Sequence, residues 1–150
     1  MISFNLETVS IKPASSKKPK QAVILCHGYG GSGEDISHLA MSWQRFLPDA
    51  IFLCPNAPEI CAINPQGYQW FDLATEKEDV IFEKSLLAEE TLSKFLDQVF
   101  DNFQLEPINL ALVGFSQGCM IGIQVGLKKK EQINCLIGYS GKIINKKHLS

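Results

Sequence analysis

The chain has 150 residues, 45% of them hydrophobic, and a formal net charge of −2 at neutral pH. A chain of this length buries about two thirds of the surface that its unfolded form would expose, which predicts one compact domain. The small net charge excludes the broad basic surface that binds nucleic acid or anionic lipid.

The cysteines and the apolar runs indicate the cellular compartment of the protein. Five cysteines lie at wide spacing, and the absence of a Cys-x-x-Cys pair predicts a reduced, cytoplasmic protein. No apolar run approaches the roughly 20 residues of a membrane span, and residues 1–20 lack the apolar core of a signal peptide. We therefore expect a cytoplasmic protein with no membrane span and no nucleic-acid partner.

Short apolar runs alternate along the chain with helical patterns. One or two half-exposed antiparallel strands within 4–11 are followed by a solvated loop at 12–20. The later strands, whose continuous apolar runs predict burial on both faces, are 22–26, 50–54, 109–115 and 134–140. The helices are predicted over about 36–46, 81–103 and the roughly twelve residues after Ser116. This alternation predicts an α/β domain with a largely parallel sheet and helices on both faces, and with its chemistry at the carboxyl ends of the strands.

The first glycine-rich turn allows two interpretations. Gly28–Gly33 formally satisfies G-x-G-x-x-G between a strand and a helix, the pattern of a dinucleotide site. That site needs an acidic residue at the carboxyl end of the next strand, where this chain has Asn56, while Asp49 lies at the opposite end. The other interpretation is that the turn offers backbone N–H groups to a developing oxyanion.

The second glycine-rich turn supplies a nucleophile. Gly114–Gly118 is a G-x-S-x-G pattern between a predicted strand and a predicted helix, the context of a nucleophile elbow that lifts a serine Oγ above the sheet edge. The alternative is that Ser116 only ends a strand.

Together with its neighbours, this motif makes the sequence similar to a known family. The sequence resembles the α/β-hydrolase family of carboxylesterases, phospholipase-like esterases and acyl-protein thioesterases, in its bacterial branch. The matching segments are collinear: Leu25–Ala40, Phe52–Glu59, Asn64–Leu73, Leu112–Met120 and Tyr139–Gly141.

The resemblance implies a reaction and a set of site residues. Ser116 would be the nucleophile, and the backbone N–H groups of Tyr29 and Gln117 would form the oxyanion hole. Trp70 and Phe71 would belong to the wall of an acyl pocket. The implied reaction is hydrolysis of a small carboxylic ester or thioester through an acyl-enzyme, without a metal or an organic cofactor.

The acid and the base of a catalytic triad are harder to place. In this fold they follow the nucleophile along the chain, and beyond Ser116 only Glu131 and His148 are available. A twelve-residue helix carries Glu131 about 18 Å away, to the opposite edge of the sheet. His148 lies in a polar tail, His27 is implied to support the oxyanion turn, and His38 is expected on an exposed helix face.

We therefore expect residues 1–150 to form a single incomplete α/β-hydrolase domain, truncated after the strand that follows the nucleophile helix. The predicted function is a serine carboxylesterase or acyl thioesterase that is weakly active or inactive alone. The alternative is a non-catalytic remnant or subunit that binds an acyl ligand or a complementing chain. The last strand would then be an apolar unpaired edge, which predicts a homo-oligomer, aggregation or a complementing chain.

Overall fold

The computed structural model describes residues 2–144 and 146–148. Its strands are β1 (Thr8–Ile11), β2 (Gln21–Cys26), β3 (Ala50–Pro55), β4 (Glu59–Ile60), β5 (Tyr68–Gln69), β6 (Leu110–Phe115) and β7 (Cys135–Tyr139). Its helices are α1 (Gly33–Trp43), α2 (Glu78–Phe103) and α3 (Gln117–Lys128), with short 3-10 turns at Pro107–Asn109 and Lys146–His148.

The strands form a five-stranded sheet in the order β1-β3-β2-β6-β7. Strands β3, β2, β6 and β7 run parallel, and β1 pairs antiparallel with β3. The predicted fold class, a mostly parallel sheet with helices on both faces, is confirmed. The antiparallel first strand is also confirmed.

The core lies on both faces of the sheet, because successive side chains of a strand point to opposite sides. In β2, Val23 and Leu25 pack with residues of α1. Ala22 and Ile24 pack on the other face with the apolar stripes of α2 and α3. Burial on both faces explains why β2 is apolar throughout.

Two helices begin earlier in the structure than the sequence predicts. Helix α1 begins at Gly33, three residues before the predicted start, because Ser32 caps it: its Oγ accepts the N–H of Asp35 at 3.1 Å. Helix α2 begins at Glu78, and Glu78 and Asp79 in its first turn suit the positive end of the helix dipole. Helix α3 has the predicted length of twelve residues.

Strand β7 forms one edge of the sheet. No strand among residues 2–144 and 146–148 pairs with its outer side. Ile137 is 39% exposed and Tyr139 is 50% exposed, so the edge is apolar as well as unpaired. None of the helices in the described part of the chain is both long and apolar enough to cross a membrane.

Candidate active site

Ser116 lies on a sharp turn between β6 and α3. Its φ is 53° and its ψ is −115°, a backbone conformation that costs a non-glycine residue about 1–3 kcal/mol. The turn is fixed on both sides: the Ser116 N–H donates to the carbonyl of Tyr139 at 2.8 Å, and the Met120 N–H donates to the carbonyl of Ser116 at 3.1 Å. The Ser116 side chain is half-buried at the carboxyl end of the sheet.

Two glycines allow this turn to form. A Cβ on Gly114 would lie 2.3 Å from the carbonyl oxygen of Gly118, and a Cβ on Gly118 would lie 2.1 Å from that of Cys26. No side chain fits at either position, so helix α3 starts directly against strands β6 and β2. This close approach is the packing that a nucleophile elbow requires.

The turn after β2 passes beside the serine. A Cβ built on Gly28 would lie 3.2 Å from the Cβ of Ser116, and Tyr29 follows in the chain. In the described part of the chain, the backbone N–H groups of Tyr29 and Gln117 have no hydrogen-bond partner. Each of the two glycine-rich turns that meet at Ser116 therefore carries one free N–H donor.

His27 sits beneath this turn and is 2% exposed. Its Nε2 accepts the Ala57 N–H at 3.0 Å, so Nδ1 carries the proton and donates to the carbonyl of Gly28 at 2.7 Å. Burial lowers the pKa of His27, which keeps the imidazole neutral. Both ring nitrogens are occupied, so His27 supports the turn and is not available as a base.

The side chain of Gln117 turns into the core. It is fully buried, and its Oε1 accepts the N–H of Trp70 at 2.8 Å while its Nε2 donates to the carbonyl of Phe71 at 2.6 Å. The indole N–H of Trp70 donates to the carbonyl of His27 at 2.9 Å. These contacts bring the β5 region against both glycine-rich turns.

Trp70 and Phe71 are 1% and 0% exposed and belong to the main core cluster. Neither side chain lines a described cavity. Their assignment to an acyl-pocket wall stays a prediction from the resemblance; in the structure both side chains lie in the core.

An apolar cavity of about 670 Å³ opens beside the elbow, on the α1 face of the sheet. Leu39 and Trp43 of α1 form one wall, and Phe115 and Tyr139 form the other. Phe115 is 51% exposed. The cavity is therefore continuous with the apolar edge of β7.

Of the remaining candidates, the structure describes the side chains of His38 and Glu131, and both are exposed. His38 lies on α1, and Glu131 lies beyond the far end of α3. The side chain of His148 lies outside the described residues. No histidine or carboxylate of the described chain is hydrogen-bonded to the hydroxyl of Ser116.

The dinucleotide interpretation of the first turn requires an acidic residue at the carboxyl end of β3, and the structure has Asn56 there. Asp49 pairs with Lys20 at 2.9 Å, before the start of β3. Asn56, at the other end of β3, accepts the Gly33 N–H at 2.7 Å and so holds the start of α1.

The β4–β5 hairpin and the side-chain role of Gln117 were not predicted. Each strand of the hairpin has two residues, too few to show a period. From the sequence alone, a glutamine at the start of a helix is expected to face solvent. The signal that could have located it is a polar residue directly before the small and apolar residues 118–123.

A family model described as phospholipase/carboxylesterase matches residues 7–150. Acyl-protein thioesterase 1 of Schizosaccharomyces pombe is 28% identical over 149 residues, which cover 93% of this chain and 63% of that protein. Acyl-protein thioesterase 1 of Candida albicans is 31% identical over 141 residues, covering 86% of this chain and 60% of that protein. The chain thus spans somewhat less than two thirds of the length of these relatives.

Solved structures share the fold. Esterase PE8 superposes with a TM-score of 0.91 at 35% identity, covering 96% of this chain and 67% of its own. The carboxylesterase of Bacillus cereus superposes with a TM-score of 0.71 at 18% identity, covering 95% of this chain and 63% of its own. The second likeness concerns the fold alone.

Proposed function

The chain belongs to the phospholipase/carboxylesterase family, and from this premise we propose that it carries the nucleophile and the oxyanion site of a serine carboxylesterase or acyl thioesterase. One observation carries the proposal: Ser116 is held at a φ of 53° where two glycine-rich turns meet, and each turn has a backbone N–H group, of Tyr29 or Gln117, without a partner in the described part of the chain. A strained serine beside free donors is the arrangement that acyl transfer uses.

The chemistry follows from these groups. The Ser116 Oγ attacks the carbonyl carbon of a small ester or thioester, and its proton passes to a base. The N–H groups of Tyr29 and Gln117 donate to the oxyanion of the tetrahedral intermediate, where each donor contributes about 3 kcal/mol. Collapse of the intermediate expels the alcohol or thiol and leaves an acyl-enzyme, which water then hydrolyses. No metal or organic cofactor takes part in this scheme.

The base and the acid are proposed to come from a complementing polypeptide segment outside residues 1–150. The two ring nitrogens of His27 are occupied, and removing a triad base lowers the turnover of a serine hydrolase by many powers of ten. The chain alone is therefore expected to be weakly active or inactive.

The edge of β7 and the apolar cavity are the proposed docking surface for that polypeptide. Ile137 and Tyr139 are half-exposed on a strand whose outer hydrogen-bonding groups are unpaired in the described chain. About a third of esterase PE8 has no counterpart here, enough chain to add strands to this edge. A polypeptide equivalent to that third is the occupant that we propose, rather than a second copy of this chain.

A fluorophosphonate probe tests the nucleophile. We expect slow labelling of the chain alone, faster labelling when a polypeptide copying the uncovered third of esterase PE8 is added, and none with Ser116→Ala. Rapid labelling of the chain alone would remove the need for a complementing polypeptide. Absence of labelling in both conditions would favour the alternative, a non-catalytic subunit.

The docking surface is tested by size-exclusion chromatography with light scattering. Complex formation with the same polypeptide should be lost in Ile137→Lys, whereas Leu127→Lys, at an exposed position of α3, should leave it unchanged. A stable homodimer that excludes the polypeptide would contradict the proposal.

The cytoplasm is the proposed location. All five cysteines are free in the structure, as expected of a protein from a reducing compartment.

A further inference from the structure

We infer that residues 68–71, named here the strap, set the spacing of the two oxyanion donors, and that Gln117 is a positioning residue through its side chain. This inference rests on the proposed function and adds to it a second role for Gln117. In the proposed function the backbone N–H of Gln117 donates to the oxyanion, while its side-chain amide bonds helix α3 to the strap.

One end of the strap holds the turn that carries Tyr29. The N–H of Gly30 donates to the carbonyl of Tyr68, and the N–H of Tyr68 donates to the carbonyl of Gly31, both at 2.8 Å. Asn64, just before the strap, donates from its Nδ2 to the carbonyl of Gly30 at 2.8 Å. The first oxyanion turn is therefore paired with the strap like a short strand.

The other end of the strap holds the start of α3. Gln117 bonds the N–H of Trp70 and the carbonyl of Phe71 with the two ends of one amide group, at 2.8 and 2.6 Å. The Gln117 side chain is fully buried, so these backbone groups would lose their partners without gaining water if it were removed. Such a buried, two-point contact fixes direction as well as distance.

The two donors belong to different elements, one to the turn between β2 and α1 and one to α3. An oxyanion hole works only when both donors lie 2.7–3.1 Å from the developing charge, and a misplacement of about 1 Å lowers the rate about 100-fold. Four consecutive residues that bond to both turns join the two donors by a short path. The indole of Trp70, bonded to the carbonyl of His27 at 2.9 Å, adds a third attachment.

The test compares two glutamines of the same helix. Gln117→Met removes the amide that bonds the strap. Gln124→Met is the matched control, since Gln124 is equally buried but bonds Ser85 of α2 instead. Fluorophosphonate labelling at increasing probe concentration, in the presence of the complementing polypeptide, separates the maximal labelling rate from the probe affinity. Amide hydrogen exchange measures whether the hydrogen bonds of the strap are intact, because the N–H of Trp70 donates to Gln117 and the N–H of Gly30 donates to Tyr68.

Gln117→Met is expected to lower the maximal labelling rate about 100-fold with little change in probe affinity, and to speed exchange at both Trp70 and Gly30. Gln124→Met should change neither. Equal labelling rates in the two variants, or an unchanged Gly30 exchange rate in Gln117→Met, would overturn the inference.

Two further outcomes of this experiment, absence of labelling and failure of Gln117→Met to fold, also have defined consequences. If the unsubstituted chain is not labelled even with the complementing polypeptide, the proposed function fails, and the exchange rates of Trp70 and Gly30 alone decide whether the strap joins the turns. If Gln117→Met does not fold, Asn64→Ala replaces it, because the Asn64 side chain is exposed and bonds Gly30 of the first turn, which the strap also holds. Asn64→Ala should then speed Gly30 exchange and reduce labelling about tenfold, an effect of half the size on the energy scale.

Discussion

Substitution of Gly118 by alanine tests whether the elbow depends on the contact between helix α3 and strand β2. The added Cβ would lie 2.1 Å from the carbonyl oxygen of Cys26 and 2.5 Å from that of His27. Ordinary contacts start near 3.4 Å, so the start of α3 must move away by more than 1 Å. Both obstructing atoms are backbone and cannot rotate aside.

We expect this overpacking to cost about 3 kcal/mol, the upper part of the usual range. Replacing glycine with alanine inside a helix returns about 1 kcal/mol, which leaves a net destabilisation of about 2 kcal/mol. The matched control is Gly122→Ala in the same helix, where the nearest atom would be Leu112 Cγ at 3.8 Å. This variant should gain up to about 1 kcal/mol.

Urea unfolding followed by circular dichroism measures both variants. The two free energies of unfolding should differ by about 3 kcal/mol, the sum of the expected loss and gain. Because the Gln117 N–H moves with the start of α3, Gly118→Ala should also reduce fluorophosphonate labelling. Equal stability of the two variants would refute the view that backbone contact with Cys26 and His27 positions the elbow.

Three other predictions concern single side chains. Ser116→Gly should be about 1 kcal/mol more stable than Ser116→Ala in urea unfolding, because glycine adopts the positive φ without strain; a less stable glycine variant would contradict this. Burial lowers the pKa of His27, so the unfolded chain binds a proton near pH 6.5 that the folded chain does not. The free energy of unfolding should therefore fall as the pH drops below about 6.5, and this dependence should be weaker in His27→Gln. Burial also raises the pKa of Cys26 and that of Cys54, the latter to about 12, whereas Cys135 is half-buried. Mass spectrometry after brief alkylation of the native chain should find Cys135 modified and the other two untouched until urea is added.

The buried strands could be predicted from the sequence to within one or two residues, because burial on both faces demands an unbroken apolar run. The predicted run 22–26 became Gln21–Cys26, and 50–54 became Ala50–Pro55. The start of α2 could not be predicted as well. Glu78 and Asp79 are charged, so they add nothing to the apolar periodicity from which the rest of the helix was predicted.

The candidate site was predictable where it depends on backbone geometry. The G-x-S-x-G spacing predicted the turn at Ser116, and the structure has the turn between a strand and a helix. The roles of Ser116, Tyr29 and Gln117 stay predictions. The contacts of Gln117 with Trp70 and Phe71 could not be foreseen, because they join residues nearly fifty positions apart and no local pattern encodes them.

The bond from the Ser116 N–H to the carbonyl of Tyr139 anchors the proposed nucleophile on the last residue of an edge strand. Strand ends at a sheet edge open more easily than the core, through local unfolding of small free energy. Each opening of that end of β7 would release Ser116 from one of its two backbone anchors. A polypeptide that pairs with β7 would then do more than supply the proposed base and acid. By suppressing these openings, it would increase the fraction of time that Ser116 spends in the geometry of the elbow.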